Sequence, residues 1–180
     1  MEFDSGRFRE VMGEFVTGVT VMTTMAEGRP QGITVNALAP VSLEPPLVMV
    51  ALDRRRFITP MVRNHGGYAI NVLGEDQQGL SDCFAHAAVK PGELGREDFC
   101  GAAWHAGRTG LPLLDGSIAT IECAIVEVFS AGDHDLFIGR VEALDDRPAG
   151  EVKGPLLYFH KRYLKIEQAA HAEVEGKPEA

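Results

Sequence analysis

Thr34 and Asn36 stand two residues apart in the run G-I-T-V-N-A-L-A from Gly32 to Ala39, and the next apolar run ends on Arg54-Arg55-Arg56. Strand side chains alternate between two faces, so Thr34, Asn36 and Leu38 share one face while Ile33, Val35, Ala37 and Ala39 share the other. One face thus presents a hydroxyl and an amide, which together donate and accept hydrogen bonds. The neighbouring strand brings guanidinium forks to the same sheet edge, and such forks grip carboxylate or phosphate groups. A flat polar ring carrying an anionic tail suits that surface. Thr59-Pro60 follows the arginines and reads as an N-cap with proline at the first helical position. The free N–H groups of that helix start and the arginines could converge on one anion.

The elements that must position these groups are mostly strands. Ser5 precedes Phe8, Val11, Met12 and Phe15, an apolar rhythm that predicts a capped amphipathic helix packed on the body of the domain. Val19 to Met25 alternates as a strand rich in β-branched residues, and Glu27-Gly28 with Pro30 turns it into a hairpin. Leu47 to Leu52 is apolar without alternation and predicts a strand covered on both faces. The Thr59 helix is short because Gly66-Gly67 stops it. Tyr68 to Leu73 is a strand, and Gln77 to Ala88 a helix whose inward stripe is Leu80, Cys83, Phe84 and Ala87. Phe84 is most simply a core residue; contact with a bound ring is the other reading. Lys90 to Pro112 lacks a clean period and holds several glycines, so it reads as an irregular excursion with a task, anchored by Trp104. Ile118 to Phe129 and His134 to Leu144 form a long hairpin; Pro155 to Phe159 and Tyr163 to Ile166 add short extended pieces. Residues 167–180 are alanine- and charge-rich, a disordered tail behind a single domain of residues 1–166. Seven or eight strands joined mainly by tight turns, with two or three helices, predict an antiparallel barrel rather than a doubly wound sheet.

Composition narrows the function. A net charge of −9, from 17 Lys+Arg against 26 Asp+Glu, argues against a nucleic-acid binder, so any cationic site is local. The N-terminus has no apolar secretory segment, and Leu47–Leu52 is too short to span a bilayer. A cytoplasmic protein without membrane contact is expected. Cys83, Cys100 and Cys123 are odd in number and form no C-x-x-C pair, which predicts reduced thiols; the six histidines show no metal-ligand spacing. No G-x-G-x-x-G, P-loop or G-x-S-x-G segment is present.

Four segments together resemble the flavin reductase family built on the FMN-binding split barrel. They are F-V-T-G-V-T-V-M-T-T at Phe15 to Thr24; G-I-T-V-N-A-L-A-P-V-S-L-E-P-P-L-V-M-V-A-L at Gly32 to Leu52; N-V-L with L-S-D-C-F-A between Asn71 and Ala85; and G-D-H-D-L-F-I-G-R-V at Gly132 to Val141, with P-L-L-Y-F behind it. The resemblance implies a mainly β, Greek-key split barrel that pairs into a homodimer. It implies hydride transfer from NADH or NADPH to FMN or FAD, with the reduced flavin handed to a partner monooxygenase. Thr34, Asn36, Ala37 and Leu38 would then line the flavin ring. Ser42 and Leu43 would touch ring or ribityl chain, and Arg54, helped by Arg55 and the Thr59 helix start, would hold the phosphate. His134 would lie near the nicotinamide or the ring edge. Family members commonly carry serine where this chain has Ala37, so a backbone contact is what remains there. Such chemistry asks the protein for positioning rather than for a general base or nucleophile.

Two other readings compete: an oxidase of the pyridoxamine-phosphate type on a similar barrel, and a non-catalytic protein that stores or senses flavin. The G-D-H segment and the V-S-L-E-P-P corner speak against the first. Nicotinamide consumption on adding flavin separates the second.

Overall fold

Asp4, rather than Ser5, caps helix α1 (Ser5–Met12), accepting from the Gly6 N–H at 2.8 Å. The computed structural model describes residues 4–86, 98–146 and 154–166. The apolar stripe of α1 does not enter the core as expected: Phe8, Val11 and Met12, with Phe15 beyond them, are all exposed. Strand β1 (Thr17–Gly18) leads to β2 (Thr20–Ala26), and the Glu27-Gly28 turn reverses it into β3 (Arg29–Val35). Asn36 and Ala37 separate β3 from β4 (Leu38–Leu43), so the single alternating run of the sequence is two strands. A hairpin then gives β5 (Pro46–Asp53), followed by α2 (Ile58–His65) and β6 (Gly67–Val72). Helix α3 (Gln78–His86) comes next, and a 3-10 turn at Phe99–Gly101 precedes the small hairpin of β7 (Trp104–Ala106) and β8 (Pro112–Leu114). The long hairpin is β9 (Ala119–Ala131) with β10 (His134–Asp146), and β11 (Leu157–Phe159) with β12 (Arg162–Leu164) ends the described chain.

Seven strands form one antiparallel sheet in the order β3-β2-β6-β9-β10-β5-β4. Its two edges, β3 and β4, are neighbours in sequence. Laid flat, seven strands would put those edges roughly 29 Å apart. The step from Val35 to Leu38 reaches only about 11 Å. The sheet must therefore curl until its edges meet, which makes a barrel, and no ladder joins the edges, which leaves it split. The mainly antiparallel β class read from the sequence is the class found.

Inside the curl lie Met22, Val50, Tyr68, Ile70 and Phe137, all fully buried. A second cluster packs α3 against the barrel: Phe84 meets the Phe99 ring edge-on at 5.0 Å, and Phe99 in turn meets Trp104. Gly32 lets this happen, because a Cβ there would stand 2.7 Å from the Phe84 ring. Phe84 is thus a core residue, 2% exposed, and not part of a ligand surface. Cys83 and Cys100 form a disulfide with Cα atoms 6.0 Å apart, tying α3 to the 3-10 turn. This corrects the expectation of three reduced thiols. Cysteines 17 residues apart carry no spacing signal, and only the packing of Phe84 on Phe99 brings them together. Cys123 is a buried free thiol, and burial pushes it up to about 12. The excursion contains the β7–β8 hairpin; its residues 90–97, like Ala87 and the tail 167–180, fall outside the described residues.

Candidate functional site

Three cavities meet at the Asn36 side chain. The curl of the sheet creates this junction, since Asn36 and Ala37 sit where the two barrel edges come together. The first cavity, of about 540 Å³, runs under α1 and is lined by Phe8, Met12, Leu38, Met49 and Tyr158 among others. The second, about 260 Å³, is bounded by Thr34, Ala37, Ala51, Arg56 and His134. The third, about 430 Å³, lies between α3 and the β11–β12 hairpin.

β5 explains the floor. It alternates between fully buried Val48, Val50 and Leu52 and half-buried Leu47, Met49 and Ala51. The expectation of two equally covered faces therefore fails, because Met49 and Ala51 form groove floor instead of core. Thr34 lines the second and third cavities, but its hydroxyl donates to the Ser81 carbonyl at 2.7 Å, so it fixes α3 to β3. The Asn36 Nδ2 donates to Thr17 Oγ1 at 3.3 Å, which leaves its carbonyl oxygen for a ligand. Ala37 accepts from the Ala51 N–H at 3.1 Å, which extends the β4–β5 ladder by one residue.

The three arginines separate. Arg54 donates to the Gly132 carbonyl and lies 4.0 Å from Asp135. Arg55 pairs with Asp53 at 2.6 Å, and these hydrogen bonds hold the Asp53 carboxyl well below the usual range. Arg56 lines the second cavity and its side chain, among the described residues, makes no hydrogen bond or ion pair. The sequence reading placed Arg54 first and omitted Arg56. Arginines in one run at a strand end cannot be told apart by type, and the turn after Asp53 decides which one faces the groove.

Thr59 is also displaced from its expected role. The N-cap position is Phe57, with no side-chain cap; Thr59 is buried inside α2 and its hydroxyl donates to the Asp53 carbonyl at 2.8 Å. It braces the Arg54–Arg56 turn rather than meeting a ligand. The Gly66 stop is as expected, with φ 78 at the C-cap. Ser42 and Leu43 lie at the far end of β4, paired with Leu47 and Pro46, and border none of the three cavities. Five residues of strand put Leu43 roughly 17 Å beyond Leu38.

His134 opens β10 opposite Asp53 and borders the second cavity. Its Nδ1 is 2.7 Å from the Asp133 carboxylate, which only accepts, so Nδ1 carries a proton and donates it. The same contact lowers Asp133. Beneath, Asp135 is buried against Arg63 at 2.7 Å and Ser130 at 3.0 Å. Burial pushes its carboxyl up, but these hydrogen bonds and the Arg63 and Arg54 charges prevail and hold it below the ordinary value.

The family model of the flavin reductase like domain matches residues 12–167, and the chain belongs to that family. An NADH-dependent flavin reductase of a Rhodococcus species is 40% identical over 173 residues, spanning 93% of this chain and 90% of that protein. The reductase subunit HsaB of a flavin-dependent monooxygenase from Mycobacterium tuberculosis is 34% identical over 166 residues, 92% of this chain and 84% of that one. Among solved structures, flavin reductase PheA2 superposes with a TM-score of 0.79 at 36% identity, covering 92% of this chain and all of the other. The NADH:FAD oxidoreductase SgcE6 of Streptomyces globisporus, in complex with NAD and FAD fragments, superposes with a TM-score of 0.83 at 30% identity, covering 95% and 100%.

Proposed function

We propose that this chain is an NAD(P)H:flavin oxidoreductase that reduces FMN or FAD and passes the reduced flavin to a partner monooxygenase. The observation that carries the reading is the Asn36 junction, where Ala51, the Arg56 side chain and His134 share one cavity and Met49 lines the adjoining one. The residues fit the ligand: a monoanionic or dianionic phosphate answers Arg56, the arginine of the second cavity, whose side chain has no partner among the described residues, and a polar ring edge answers the Asn36 amide.

When bound, flavin supplies the ring that accepts a hydride from the nicotinamide. The chain supplies position. Arg56 would hold the phosphate, the Asn36 side chain would meet the polar edge of the ring, and Leu38 and Met49 would exclude water. His134, oriented by its Nδ1 contact with Asp133, would meet the nicotinamide. Holding both rings in register lowers the barrier without any proton transfer by the protein.

A second copy of the chain would cover the exposed apolar residues of α1, giving a homodimer, and residues 1–166 would be one domain. The described residues hold no helix long and apolar enough to cross a membrane; a cytoplasmic setting follows from the nicotinamide donor. The test is oxidation of NADH or NADPH by pure protein, with and without FMN or FAD. Strong flavin stimulation is expected. A yellow protein that oxidises neither donor would reverse the reading in favour of flavin storage.

A further inference from the structure

The third cavity lies on the other side of Asn36 from the Arg56 groove, and its lining is chemically specific. It joins Asp82 of α3 to Lys161 of the β11–β12 turn, with Tyr158 and Tyr163 between them. The tyrosine rings meet edge-on at 5.4 Å across their strand pair. Tyr163 hydroxyl lies 2.9 Å from Ser81 Oγ, and burial with the neighbouring Asp82 carboxylate raises its pKa, so the phenol stays a neutral donor.

Lys161 borders the first cavity as well as the third, and shares both with Asn36 and Tyr158. His160 and Lys161 have φ of 48 and 60, a two-residue hairpin turn that ordinarily takes asparagine, aspartate or glycine. A lysine held there against backbone preference points to a task for its side chain. The cations around it are mostly committed: Arg7 pairs with Glu10, and His160 with Glu14 at 3.0 Å. Lys161 has no partner among the described residues. Among the described residues the groove therefore has three uncommitted cations, Arg56 in the second cavity and Arg9 and Lys161 in the first, and of these only Lys161 also borders the third.

We propose that the third cavity is a nucleoside-diphosphate subsite, in which Lys161 meets a diphosphate and the Asp82 carboxylate accepts from ribose hydroxyls. The tyrosine rings give the base an apolar wall. This deepens the proposed function, and the diphosphate has two sources there: the nicotinamide dinucleotide, or the adenylate half of FAD.

The test uses Lys161→Gly, which removes the charge and suits the φ of 60, together with Lys161→Arg, which restores the charge. The readouts are the KM for NADH with FMN as acceptor, and equilibrium affinities for FMN and FAD by fluorescence. Lys161→Gly is expected to raise one dinucleotide constant about tenfold, with FMN affinity unchanged and Lys161→Arg recovering most of the loss. A rise in the NADH KM alone assigns the diphosphate to the hydride donor; a rise in the FAD dissociation constant alone assigns it to the flavin. Asp82→Asn should raise the same constant severalfold. If neither constant moves, or if FMN affinity falls equally, the subsite is overturned. Should the wild type oxidise no nicotinamide, the reductase reading fails while the FAD-against-FMN comparison still tests the subsite.

Discussion

Two polar regions lie within a few residues of each other and are built on opposite rules. Beneath the start of β10, Asp135 is surrounded by Arg63, Ser130 and Arg54, and each partner answers a charge or hydrogen-bonding group already present in the fold. Across the seam at Asn36, the side chains of Arg56 and Lys161 stand without partners among the described residues, where the Asn36 side chain keeps one long bond. A saturated network stabilises the fold and offers a ligand nothing. An unsaturated one at a groove costs the fold little, because water serves the exposed groups, and it holds its bonding capacity for whatever displaces that water. The comparison teaches that neither arginine nor freedom from partners by itself marks a candidate site; an unpartnered cation at a groove does.

The comparison breaks most visibly if the scaffold side fails to behave as scaffold. Reducing the Cys83–Cys100 bond should lower unfolding stability by about 3 kcal/mol, as expected for a loop of this size, read by urea denaturation with and without reductant. Next, Asp135→Ala should cost about 2–3 kcal/mol, since it leaves Arg63 and Arg54 without their buried acceptor. The folded Asp135 carboxyl lies below its unfolded value. Its contribution is therefore complete above the unfolded pKa near 4 and is lost as pH falls through the lower folded value. Denaturation midpoints from pH 6 down to pH 3 should show a decline that Asp135→Asn flattens, all values taken as approximate settings of the titration.

On the groove side the expectation inverts. Arg56→Ala should weaken FMN binding about tenfold while the unfolding midpoint stays within experimental error, and Arg54→Ala should do the reverse. Equal FMN affinity in Arg56→Ala would break the comparison outright. The smallest effect is expected at Ser42→Ala, which should change flavin affinity less than about twofold, because the β4 tip is remote from all three cavities.

Much of this architecture was legible beforehand. The hairpins turned at Glu27-Gly28 and between β9 and β10, the stop at Gly66, and the core identity of Phe84 follow from local patterns that tertiary contacts reinforce. The groove residues Thr34, Asn36, Ala37, Leu38 and His134 were found through the run at Gly32 and the G-D-H turn. Arg56, Asp82 and Lys161 were missed, and nothing in their local sequence would have singled them out. An arginine in a row of three, an acid on a helix and a lysine in a turn each read as solvated surface.

Amino-acid order alone settled the strand-rich class, the places where the chain reverses, and the supply of one amide, one histidine and several cations for a ligand. Those depend on backbone preference and short-range periodicity, which act over a few residues. Only the folded barrel decided that β3 and β4 would be opposite edges brought face to face, which cysteines would pair, and which cations would remain unanswered. Such facts belong to distances between segments far apart in the chain, and no local pattern encodes a distance that closure of the sheet has yet to create.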